Sequence, residues 1–385
     1  MSKCAARTAR SSCSICKSVT PRERLFAALR GEPTDHVPVW LLFPHDRAPY
    51  YADVHALEAY RPVCEMIPQK AVTLNRRGFD LPLYGAGVKC WREELSGGVR
   101  RNWVEGPGGV KLYNEHGKKA LLETDEDLEA WASLPFANED EITAALEKQL
   151  DAYMAEKRAF PQELGAMMLD LGEPIGPIYY GSNLESFSIW SLTRHDVVKG
   201  VLEKLMARCR VVYQKCLERE LAETYFLVGS ELAAPPLVGR AAFQSWIVPY
   251  AKEVVAMARS AGVFAVQHFH GHIRGVLDGF VEMAPHALHT IEAPPVGNCT
   301  FTQAYGAVGK NITLIGNIQY DEFRSRTPDE MRRAVRAVLE ECRGRRLVLS
   351  PTAGPFDSNP PRRIIENYCA ILDEAWRFGE WKIEN

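Results

Sequence analysis

The sequence predicts an α/β chain closed into a (β/α)8 barrel, and three observations predict it. From residue 164 onward, short apolar runs alternate with segments of helical periodicity; the runs are LGAMMLDLG, TYFLVGS, VFAVQHF, ALHTIEA, ITLIGNI and RLVLSPT. Runs of that length, bounded by turn residues, read as parallel strands buried on both faces, and their alternation with helices is the pattern of βα units. Two earlier runs, HVPVWLLF (36–43) and AVTLN (71–75), bring the count to the eight strands of such a barrel. No Gly-x-Gly-x-x-Gly follows any of these strands, which disfavours the doubly wound open sheet.

The elements follow in order. PRERLFAALR reads as a short amphipathic helix, with Thr20 as its N-cap, Pro21 in its first position and Gly31 just past its end. After the first strand, the loop FPHDRAPYY carries His45, Asp46 and Arg47. A helical stretch from about 53 to 68 leads to the second strand. Residues 85–121 change character: β-prone pieces separated by Gly-Gly and Pro-Gly-Gly signal hairpins, an excursion from the barrel. ETDEDLEAWASLP and EDEITAALEKQLDAYMAEKRAF read as helices with acidic first turns. The helical segments between the later strands, and PRRIIENYCAILDEAWRFG at the end, complete the pattern.

With 385 residues, 46% hydrophobic and 25% charged, the chain has ample material for a large core. Residues 20–385 are expected to form one domain, preceded by a disordered leader over 1–19. That leader is basic and Ser-rich, lacks the apolar segment of a secretory signal, and holds Cys4, Cys13 and Cys16; a lone CSIC pair is a weak metal or redox signal. The other cysteines are scattered, as expected of reduced thiols in a cytoplasmic enzyme. The formal net charge of −3 gives no case for nucleic acid or an anionic membrane, and no run of 18 apolar residues is present.

In such barrels the reactive groups stand at the C-terminal ends of the strands. Those ends carry His45, Asp46 and Arg47; Asp170, Glu173 and Tyr180; Glu231; His268 and His270; Glu292; Asn317 and Gln319; and Thr352. Five of the ten histidines fall between 268 and 289. Alternation along a strand points His268 and His270 the same way, which makes half of a metal site or an acid/base pair. A catalytic zinc takes three protein ligands and keeps an open position, so Glu231 or Glu292 would complete the set. Structural readings compete: paired packing histidines, and N-cap or loop hydrogen bonds for the acids. His286 and His289 read as surface or packing residues, and His272 as a supporting or anion-contacting group.

TPRERLFAALRGEPTDHVPV, the H-x-H-G stretch, GNIQ, and SPTAGP followed by PPRRIIENYCAILD resemble the uroporphyrinogen decarboxylase superfamily, over nearly the whole chain from about residue 20 to 381. The resemblance implies a barrel of that type, in which the 85–121 hairpins read from the glycine pattern would be an insertion after the second βα region. It also implies one of two chemistries.

In the decarboxylase branch, arginines after the first strand grip substrate carboxylates. Gapless alignment puts Phe43 at one of those positions and Arg47 at the other, and Thr352-Ala353-Gly354 replaces a Gly-His-Gly. In the cobamide-dependent methyltransferase branch, zinc is held by His-x-Cys and a later Cys. His268 matches the histidine, His270 stands at the first cysteine, and the last falls near Thr352–Ala353. The leading expectation is therefore a metal-dependent methyltransferase, with zinc on His268, His270, Glu231 or Glu292. Asp170 and Tyr180 would join the two glutamates in catalysis, and Arg47, His45, Asp46, Asn317 and Gln319 would bind substrate. With no corrinoid, nucleotide or flavin fingerprint in the chain, cobalamin would arrive on a separate protein. The alternatives are a decarboxylase of a tetrapyrrole or other polycarboxylate, with Arg47 as clamp, Asp46 or Asp170 steadying pyrrole NH groups and Tyr180 assisting, and a barrel that binds a small molecule without catalysis.

Overall fold

In the computed structural model, which describes residues 19–380, the apolar runs become a curled parallel sheet. Its strands are β1 (Thr73–Arg77), β5 (Gly165–Leu169), β6 (Thr224–Leu227), β7 (Phe264–His268), β8 (Ala287–His289), β9 (Thr313–Ile318) and β10 (Leu347–Pro351), hydrogen-bonded in that order. Between β1 and β5 in the chain lie β2 (Lys89–Glu94), β3 (Arg100–Glu105) and β4 (Lys111–Glu115), a separate antiparallel sheet. Its corners use Gly97, Gly98, Gly108 and Gly109 in the left-handed region, and its register lines up Trp91, Trp103 and Tyr113.

The expected first strand is much shorter than 36–43. Val39 bridges Leu349 of β10 and Trp40 bridges Val72 beside β1, so the same two residues touch both edges of the sheet. The Trp40 N–H donates to the Leu349 carbonyl at 2.9 Å, and the Val72 N–H to the Val39 carbonyl at 2.8 Å. Pro38 has no N–H to offer, and Leu42, at φ 65°, leaves extended geometry altogether. The second strand runs two residues later than expected, because Arg76 and Arg77 extend it as the ion-paired partners of Asp170 and Glu156. The expected helix at 53–68 is a turn over Glu58–Tyr60 followed by a helix over Arg61–Lys70.

Helix α1 (Pro21–Arg30) is capped as expected: Thr20 and Glu23 form a reciprocal capping box, and Gly31 at φ 76° ends it. Its Leu25, Phe26, Ala28 and Leu29 join Trp40, Leu42, Leu74, Met168, Phe226, Val266, Ile315 and Val348 in one inward-facing apolar cluster. Arg22 reaches the Gly165 carbonyl at the start of β5, so α1 plugs the N-terminal end of the sheet and leaves the C-terminal ends open. A larger core packs the outward strand faces against the surrounding helices. None of the described helices is long and apolar enough to cross a membrane. Residues 1–18, with Cys4, Cys13 and Cys16, lie outside the described residues.

Candidate active site at the strand C-termini

On β7, Val266 belongs to the inner cluster while Ala265 packs outward, so His268 at the strand's end points inward. The register pairs it with His289 at the end of β8. The two rings stack at 4.9 Å and 19°, with their Nδ1 atoms 2.7 Å apart. Phe226 lies 4.9 Å from the His268 ring and Trp40 5.4 Å from that of His289, an aromatic floor. Burial pushes His268 well below its ordinary pKa and His289 down to about 3, and the neighbouring charge of His270 adds to both.

His270 lies just past the strand, its ring 4.6 Å from that of His268 and nearly perpendicular to it. Its Nδ1 is 3.1 Å from Glu292 Oε1, and Glu292 Oε2 accepts the Gly271 N–H at 2.7 Å. Burial opposes charge on both members of this pair. The hydrogen bonds and mutual attraction outweigh it, so His270 is raised and Glu292 lowered, the signs of a charged pair. Glu231 accepts the Gly229 N–H at 3.0 Å; burial raises its pKa against the attraction of His270.

On the neighbouring wall, Arg76 pairs with Asp170, donates from Nη1 to the Tyr51 hydroxyl at 3.4 Å, and sits over the rings of Tyr50 and Phe226 at 4.5 and 4.7 Å. Arg76, Asp170, Glu173, Val228 and Tyr180 line a cavity of about 440 Å³. Two larger clefts, of about 760 and 700 Å³, lie among helix surfaces away from the strand ends. Glu173 is buried with Ser230 and Gln267: Ser230 N–H and Oγ donate to it at 2.7–3.1 Å, and Gln267 Nε2 at 3.2 Å. Burial and the charge of Glu231 raise Glu173 to about 7. Across the mouth, Thr352 donates to Gln319 Oε1 at 3.2 Å, and Asn317 is half-buried opposite Ser350.

Other expected residues stand apart. Asn75, on the outward side of β1, accepts the backbone N–H groups of His45 and Asp46 at 3.0 and 3.4 Å, and the His45 ring packs on Phe160. That loop is therefore anchored behind β1, with Asp46 3.8 Å from Arg77 and Arg47 exposed. Tyr180 does not stand apart: it lines the cavity beside Arg76 and Asp170, with 73% of its surface exposed. Phe43 is buried against Tyr60 and Tyr368, an apolar setting for a position where the decarboxylase branch places an arginine.

Sequence reasoning missed Arg76; His289, read as a surface or packing residue, is buried against Trp40 and Phe226, and the register of β7 and β8 also joins it to His268. Alternation within ALH carried half of that signal, since it places Ala287 and His289 on one face.

The expected zinc set is not assembled. Among the described residues no group of three His, Cys, Asp or Glu side chains could hold a metal ion. Both Glu292 oxygens already have partners, the His270 ring and the Gly271 N–H. Thr352 and Ala353 stand where a cysteine ligand was expected.

Residues 178–368 match the family model for uroporphyrinogen decarboxylase (URO-D). The chain is 21% identical over 364 residues to the methylcobamide:CoM methyltransferase MtbA of Methanosarcina acetivorans, covering 90% of this chain and 95% of that protein. Its fold is similar to that of a methyltransferase from Methanosarcina mazei, with a TM-score of 0.58 and 18% identity, across 93% of this chain and 100% of the other.

Proposed function

The chain belongs to the uroporphyrinogen decarboxylase superfamily, and on that premise we propose that it is a methyltransferase moving a methyl group to or from a corrinoid carried by a separate protein. In this reading the Val39–Trp40 segment is the eighth stave of a closed barrel, and the sheet β2–β4 an insertion into it. The observation that carries it is geometric: the His270–Glu292 hydrogen bond at 3.1 Å stands beside the paired rings of His268 and His289 at the strand ends. The resemblance to MtbA supports the choice of chemistry.

Methyl transfer from a heteroatom leaves the bonding electron pair on that atom, which then needs a proton; transfer to a heteroatom requires a proton to be removed first. Charged His270 supplies the proton in one direction, and neutral His270 accepts it in the other. Glu292 holds the imidazolium and orients its ring through Nδ1, leaving Nε2 for the substrate. Arg76, fixed by Asp170, places positive charge at the mouth, where a developing thiolate, phenolate or alkoxide is stabilised. The corrinoid supplies or receives the methyl as a substrate. The donor set does not fit a resident zinc with three protein ligands, so no step here depends on one.

The experiment is anaerobic turnover followed by the cobalt absorbance of free cobalamin or a corrinoid protein, with thiols and with methoxylated or methylated-amine donors. Turnover with at least one pairing, retained after chelator treatment, is expected. Turnover lost on chelation and restored by zinc would move the proton chemistry from the dyad to a metal.

A further inference from the structure

We propose that His289 is a positioning residue that locks His268 in a single tautomer, with the proton on Nδ1 and a bare lone pair on Nε2 facing the mouth. The hydrogen bonds dictate this through their polarity. His289 Nε2 lies 3.3 Å from the Pro351 carbonyl oxygen, which can only accept. The proton is therefore on His289 Nε2. His289 is 1% exposed, touches no carboxylate and has Arg76 and His270 as its nearest charges, so it stays neutral. A neutral imidazole with its proton on Nε2 has only a lone pair on Nδ1. The 2.7 Å separation of the two Nδ1 atoms then requires a proton from the other side, that of His268. The His268 ring is packed between Phe226 and the rings of His270 and His289, with no carboxylate among the described residues hydrogen-bonded to it, so nothing pairs a second proton and its Nε2 is unprotonated.

The chain of donors runs His268 to His289 to Pro351, the last residue of β10. The ends of β7, β8 and, beyond β9, β10 thus fix one atom's chemistry. The consequence extends the proposed function and rests on it. Beside His270, which donates, stands an imidazole that accepts, so the site favours a substrate group that both gives and takes a hydrogen bond at one heteroatom, as a thiol or hydroxyl does. The stacked rings also fix the orientation of His268, because a ring flip would break the Nδ1 contact.

The test uses the full chain labelled with ¹⁵N histidine. Long-range ¹H–¹⁵N correlation distinguishes protonated from bare ring nitrogens, and the His268→Gln and His289→Asn variants assign the signals. The expected result is a protonated Nδ1 and bare Nε2 for His268, and the reverse for His289. His289→Asn keeps an acceptor oxygen near the former Nδ1 and should preserve the His268 pattern. His289→Leu removes it and should move the proton of His268 partly to Nε2. In the cobalt assay His289→Leu should lower kcat at least about tenfold with KM little changed, as loss of a group that orients a reactive imidazole does, and His289→Asn should recover most of it. A wild-type His268 protonated on Nε2, or an unchanged His268 pattern in a folded His289→Leu variant, would overturn the inference. The spectroscopic measurement needs no turnover, so its failure is distinguishable from failure of the methyltransferase reading.

Discussion

Glu292 decides the charge of His270. Without its carboxylate, only the attraction of Glu231 would oppose burial, which depresses the imidazoles of His268 and His289. Glu292→Gln should therefore lower the His270 pKa, read by NMR titration. The form of His270 that donates a proton is present below its raised pKa and lost as pH rises through it. In the direction that needs this acid, the variant's activity should fall off at lower pH than the wild type's; an unshifted profile would remove His270 from that role.

Glu173 offers a stability test. Its carboxyl is raised from 4.5 to about 7, so the folded state holds a proton that the unfolded chain has released across that interval. Its contribution is fully present below pH 4.5 and is lost as pH rises to about 7, a change of up to about 3 kcal/mol. Relative to wild type, Glu173→Gln should lack this fall in denaturant titrations at pH 4.5, 6 and 7.5; parallel curves for the two proteins would contradict it. At this scale His268, His270 and Glu292 were legible, because polar groups that abruptly end apolar runs are rarely needed for packing. His289 and Arg76 were not. One depended on a register between strands that no local pattern carries, and the other on an arginine extending a strand past its apolar part.

Element geometry delivers these groups and can be tested without touching them. A Cβ at Gly297 would meet the Glu292 carbonyl oxygen at 2.1 Å and its Cβ at 2.5 Å, so the loop after β8 must shift to accept any side chain. Gly297→Ala should reproduce the lowered His270 pKa of Glu292→Gln in a folded protein; an unchanged pKa would mean that the loop adapts without disturbing the dyad. At the other end, Leu25 of α1 is fully buried in the inner cluster. Leu25→Ala should cost about 2–5 kcal/mol in denaturant unfolding while leaving the His270 titration in place. A loss under about 1 kcal/mol would contradict the plug.

The helix caps, the hairpin sheet and seven of the strands were readable from period and punctuation. The first strand was over-read, because apolar content does not reveal that Pro38 lacks a donor to the ladder or that Leu42 turns left-handed.

For the whole molecule, a curled parallel sheet plugged below by α1 leaves one open end, and the titratable cluster stands there. The loop 45–47, matched to the substrate clamp by alignment alone, is instead anchored behind β1, and Phe43 is packed in apolar core. Sequence position placed those residues after a strand; only the fold decides which side of the sheet they take. The central claim is methyl transfer assisted by the His270–Glu292 dyad, and anaerobic cobalt absorbance on wild type and His270→Gln tests it most directly. Interconversion of cob(I)alamin and methylcobalamin forms with a thiol or a methylated donor is expected, slowed at least about a hundredfold in the variant. No spectral change with any pairing in the folded wild type, or an undiminished rate in His270→Gln, would contradict it.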